Sequence, residues 1–148
     1  MPVNERNNAA TRQSWKTQLI PVAQVDLDFA RTYDAADTAR IKRGLIPEVM
    51  EDKWFIFFEE PWLYLHRSWT GKCVYGVRFE SGAAGISVVG AWVTQEEYPY
   101  NIEHDRAILG FLIEHELLGR PALFPVSNHP FSHGYSPSML ASNSPKFS

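Results

Sequence analysis

The chain of 148 residues holds one cysteine, Cys73, so no disulfide can close within it. That usage fits a reducing compartment. Cys73 stands inside a predicted strand with no base beside it, which reads as a buried, inert thiol and not as a nucleophile. Long apolar runs are missing as well. None approaches the ~20 residues that a membrane-spanning helix needs, and the opening MPVNERNNAATRQSW has no apolar core of a secretory leader. The expectation is a cytoplasmic protein with no membrane partner.

Charge of one sign is also absent. Lys and Arg number 14 against 17 Asp and Glu, for a net charge of −3. The basic residues are scattered, with no patch or stripe, so nucleic acid is not the expected partner. No GxxxxGK[ST], no HExxH and no cysteine pair occurs, and no cofactor or structural metal is expected. His104 and His115 fall on one side of a predicted helix, but roughly 16 Å apart by helical rise. His129 and His133 stand four apart in a segment that Pro130 and Gly134 keep from being helical. No internal repeat is visible.

What the chain has in excess is aromatic side chains, 14% of the residues, beside an ordinary 45% hydrophobic and 21% charged. Three of the five tryptophans lie between Glu51 and Glu80. That stretch reads as three strands, 53–58, 62–67 and 73–80, rich in aromatic and β-branched residues. Glu59-Glu60-Pro61 breaks the first from the second. Ser68 to Lys72 breaks the second from the third, with Gly71 free to take positive φ. A fourth strand, 86–94, follows the two-glycine turn at 81–85, and such short links make an antiparallel meander.

Asp34 or Asp37 caps a short helix that ends at Arg43 and Gly44. Asn101 caps a long one whose apolar spacing runs to Leu118, with Gly119 as its stop. Trp15 to Val25, interrupted by Pro21, is an edge strand or an extended arm. The expected fold is α+β: a four-stranded antiparallel meander with one long C-terminal helix and a short N-terminal helix packed on one face. The expected organisation is a flexible terminus over 1–14, one domain over 15–126 and a Ser/Pro/Asn-rich tail over 127–148.

Alternation along the second strand puts Trp62, Tyr64 and His66 on one face and Leu63, Leu65 and Arg67 on the other. Arg78 and Glu80 of the third strand join Tyr64 and His66 if the register lets them, beside the small Gly76. Rings, an imidazole and a guanidinium on an open face are the composition of a pocket for a planar or anionic ligand. The plainer reading is an exposed sheet face with weak polar pairs. The turn Ser68-Trp69-Thr70-Gly71 beside Arg67 offers backbone N–H groups and a cation to a phosphate, or is a hairpin turn held by its own hydroxyls. Glu51 and Asp52 are adjacent carboxylates before the first strand, either an acid–base pair or solvated residues.

The run Met50 to Phe55, with Trp62 to Gly71 after it, resembles a small bacterial domain family that has no established catalytic residues. The same block occurs appended to ADP-ribose-processing proteins of the macrodomain and ADP-ribosylglycohydrolase kinds. That resemblance implies a ligand of the ADP-ribose or nucleotide class. Gln95-Glu96-Glu97 resembles the Q/E-x-E loop of ADP-ribosyltransferases, but the strand ISVVGAWVT lacks their companion signature, and nothing is carried over from it.

Three functions therefore stand open. The first is a binding or accessory domain for an anionic, nucleotide-like small molecule. It would stack the ligand on Tyr64 or Trp69, meet its charge with Arg67 or Arg78, and hydrogen-bond it through His66, Thr70 and the Gly71 turn. The second is a small hydrolase or transferase with His66 as general base, assisted by Glu51 or Asp52. The third is a module of the immunity or antitoxin type, whose exposed aromatics meet a protein partner or a second copy of the chain.

Overall fold

In a computed structural model of the chain, residues 9–96 and 101–121 are described. The predicted tail over 127–148, and Glu97 of the Gln95-Glu96-Glu97 motif, lie outside them. The meander forms as its sequence implies: β3 (Trp54–Glu59), β4 (Trp62–Arg67), β5 (Cys73–Ser81) and β6 (Gly85–Thr94) pair antiparallel in succession. The β3–β4 turn carries a cis peptide bond at Glu60-Pro61.

The sheet has six strands and not the four expected. The two extra ones, β1 (Gln24–Asp26) and β2 (Thr32–Asp34), are three residues each, and both pair with β6. β6 is ten residues long, so its free edge has room for both, end to end. Three residues are too few for alternation to register in a sequence. At the other edge, Leu45 makes an isolated antiparallel bridge to Ile56 of β3.

α1 (Ala35–Arg43) begins where Asp34 accepts from the Asp37 N–H and stops at Gly44, whose φ is 73°. α2 (Ile102–Phe111) begins at Asn101, which accepts from the His104 N–H. The six residues that follow it, Leu112–Leu117, wind as a π-helix, ending before Gly119 at φ 70°. Apolar spacing over so short a span does not distinguish the wider turn from an α-helical one. Side chains of α2 and the π-helical turn (Ile108, Leu109, Leu112, Ile113) share one buried cluster with Trp54, Ile56, Leu63, Leu65, Tyr75 and Val77 of the sheet. No helix among the described residues is long and apolar enough to cross a membrane.

The segment before β1 is docked on the rest. Ala10 is buried and donates its N–H to the Arg43 carbonyl. It joins Phe55 and Phe57 in a second cluster, with Tyr64 packed against it. Arg12 opens a single 3₁₀ turn, Arg12–Ser14, and forks onto the Glu59 carboxylate at 3.0 and 2.7 Å. The chain then runs extended past the β4–β5 turn, where the Gln18 N–H donates to Gly71 at 2.8 Å. Residues 9–14, taken from the sequence as part of a flexible terminus, are in this way the start of an arm that reaches β1.

Candidate functional site

The register brings the expected face together. Phe57, Tyr64, Gly76 and Trp92 stand in one cross-strand row, and Glu59, Trp62, Arg78 and Gly90 in the next. A register shift between Leu65 and His66 sets His66 opposite Cys73. The face is not open at the His66 end, because the arm lies over it. The Arg12 guanidinium sits 5.3 Å from the Phe57 ring centre and 5.8 Å from that of Tyr64. The room expected above Gly76 is filled, since a Cβ there would lie 2.3 Å from the Trp92 indole.

His66 is fully buried. Its Nδ1 lies 2.9 Å from the Gly71 carbonyl, and its ring stacks on Phe57 at 5.3 Å. Burial is the main force holding its pKa below 6.5. No carboxylate among the described residues bonds it. Tyr64 is half-buried and stacks on Trp62 at 5.9 Å, its hydroxyl pKa raised chiefly by burial. Arg67 points away from this face and lies 5.8 Å from the Trp54 ring. Arg78 is exposed and lines a recess of about 90 Å³ with Phe79, Glu80 and Val89, below the 300–1,000 Å³ usual for a small-molecule site.

The β4–β5 turn is engaged with itself. The Ser68 N–H donates to Lys53, the Gly71 N–H to Arg67, and the Lys72 N–H to the Thr70 hydroxyl. The Ser68 hydroxyl donates to the Asp52 carbonyl at 2.6 Å. These groups hold the hairpin, with Gly71 at φ 80°. Asp52 accepts the Glu48 and Val49 N–H groups on one oxygen, and Glu51 is exposed. Among the described residues no group of three or more His, Cys, Asp or Glu is placed to hold a metal ion.

Concavity appears one element over. Trp15 of the arm and Trp69 of the turn border a cleft of about 470 Å³, completed by Lys16, Glu48, Val49, Met50 and Ser68. Trp69 is 56% exposed, Val49 55% and Met50 71%. Both indole N–H groups are engaged internally, Trp15 donating to Ser68 at 2.7 Å and Trp69 to Met50 at 2.9 Å. Each ring is therefore held by its N–H edge where it borders the cleft. The Lys53 ammonium lies 4.6 Å from the Trp69 ring centre, a cation–π contact.

Of the turn residues singled out from the sequence, Ser68 and Trp69 line this cleft. Trp15, Lys16, Val49 and Met50 were missed as a group. The available signal was a tryptophan in an otherwise polar opening segment. A second cleft, about 650 Å³, lies between the arm and the sheet, lined by Arg12, Gln18, Val22, Lys72, Cys73 and Glu96 among others. Burial raises the Cys73 pKa to about 12, so its thiol stays protonated at neutral pH. No family model, curated protein or solved structure matches the chain.

Proposed function

We propose that the protein is a binding module, and that its ligand is a nucleotide-like small molecule whose ring stacks between Trp15 and Trp69. The observation that carries this is the pair of indoles, each fixed by its own N–H, bordering a cleft of about 470 Å³. Pre-fixed rings lose little freedom on binding, and the cleft lies in the range of small-ligand sites. Lys16 lines the cleft and Lys53 sits on Trp69, so both can meet an anionic end. The resemblance of the 50–71 block to domains appended to ADP-ribose-processing proteins supports the same ligand class. We take α1 and α2 to cover the sheet face opposite the arm, and the setting to be cytoplasmic, as the buried thiol suits.

The test is titration of AMP, GMP, ADP-ribose, NAD and inorganic phosphate into the protein, followed by tryptophan fluorescence and calorimetry. One ring-bearing ligand is expected to quench, with phosphate alone silent. Base–aromatic stacking is worth about 1–3 kcal/mol, so Trp69→Ala should weaken binding roughly 5- to 150-fold. Silence from every ligand would sink the nucleotide reading. A protein partner is the second reading, favoured by the exposure of Met50, Val49 and Trp69 together. The enzymatic reading needs His66 to reach a substrate, and the arm stands between them.

A further inference from the structure

Three segments meet at Gly71. Its carbonyl oxygen lies 2.8 Å from the Gln18 N–H of the arm and 2.9 Å from His66 Nδ1. A carbonyl only accepts, so Nδ1 carries the proton and Nε2 of the neutral ring is a bare lone pair. That Nε2 is buried and has no hydrogen-bond partner among the described residues. Phe57 and Phe55 pack on the ring at 5.3 and 6.1 Å. Gln18 Nε2 adds a bond to the Thr70 carbonyl, and Trp15 Nε1 one to Ser68. The arm is thus tied to the turn directly above a titratable group.

We propose that residues 9–20 are a strap released by protonation of His66, and that release withdraws the Trp15 wall of the cleft. The functional consequence rests on the cleft being the binding site; the release itself does not. Protonation would create an N–H at Nε2 with nothing to accept it, in a spot lined by rings. The Gly71 carbonyl favours the imidazolium, but burial outweighs it. Among the described residues, no group facing the ring from the arm, β4 or β5 adds a negative charge of its own beyond the paired Glu59. From the arm, Arg12 repels the imidazolium while paired with Glu59 of β3. From β4, the Tyr64 hydroxyl stays protonated, and from β5 so does the Cys73 thiol.

With the arm lifted, the ring is hydrated and titrates near the ordinary 6.5. Closed, its pKa is lower, so the closed state binds fewer protons between the two values. Closure is therefore fully favoured above about pH 6.5 and loses ground as pH falls from there toward the lowered pKa. One proton shifts the open-to-closed ratio by up to about tenfold per pH unit.

The experiment is hydrogen exchange by NMR on the full chain, reading protection of the Trp15 indole and Gln18 amide from pH 7.5 to 5.0. Both are expected to lose protection by up to about tenfold per unit below 6.5. The Trp69 indole, bonded to Met50, is expected to hold. In His66→Gln, whose neutral amide can still donate to Gly71, the two signals should not respond to pH. Flat protection in the wild type, or the same fall in both proteins, overturns the strap. Should His66→Gln fail to fold, the His66 ring titration in the wild type decides. A ring midpoint below 6.5, at the acid end of the loss of protection, supports the strap, and one at or above 6.5 overturns it. No ligand is needed, so a nucleotide that fails to bind leaves this result standing.

Discussion

Tyr75 and Asp105 are both fully buried, and the phenol donates to the carboxylate at 2.8 Å. The other carboxylate oxygen accepts the Asn101 N–H at 3.2 Å. One side chain thereby ties the first turn of α2 to β5, and taking away the phenol deletes a fully buried hydrogen bond to that carboxyl group. Tyr75→Phe is expected to lower stability by about 1.5–3 kcal/mol, measured by urea denaturation at unchanged slope. A change within about 0.5 kcal/mol would mean that the bond only balances its desolvation. At this scale the sequence was partly legible. Alternation sorted Tyr64, His66 and Arg67 onto their faces, but it could not show that Trp92 would fill the space over Gly76. That contact depends on the pairing of β5 with β6, a register no local pattern encodes.

The π-helical turn carries Glu116, whose carboxyl is pushed up to about 7, first by burial and then by the nearby Asp52 charge. A raised carboxyl holds its proton in the folded state after the unfolded chain has lost it. Its contribution to stability is thus present at low pH and is lost as pH rises from about 4.5 through 7. Glu116→Gln, fixed in the neutral form, should match the wild type near pH 5 and be more stable by about 1–3 kcal/mol at pH 8. Thermal melts at the two pH values check this, and a gain equal at both would assign the effect to packing. The sign is opposite to that of His66, whose lowered pKa weakens closure on the acid side. Elements were legible in proportion to their length. The meander strands and both helix caps follow from hydrophobic spacing and the Asp34, Gly44, Asn101 and Gly119 signals. β1 and β2 are too short to show any period, and they exist because β6 offers an edge.

For the molecule as a whole, the question the sequence could not answer was which face of the sheet is covered, and by what. A polar opening segment looks flexible because it has little to bury, yet Ala10 and Arg12 are held by partners about thirty to fifty residues away: the Arg43 carbonyl, the Glu59 carboxylate and the rings of Phe57 and Tyr64. The arm shields two phenylalanines that would otherwise face water. Removing residues 1–14 should therefore cost more than trimming a loose end. Losing the Arg12 fork and cation–π contacts and uncovering Phe55 and Phe57 is expected to destabilise the fold by about 1–3 kcal/mol. It should also raise binding of a hydrophobic dye such as ANS. Arg12→Ala should produce roughly a third to a half of the loss, because it keeps Ala10 in place. If the truncated chain melts like the intact one and binds no more dye, the arm contributes nothing to the fold. Closure over His66 would then have too little free energy behind it for a strap to control.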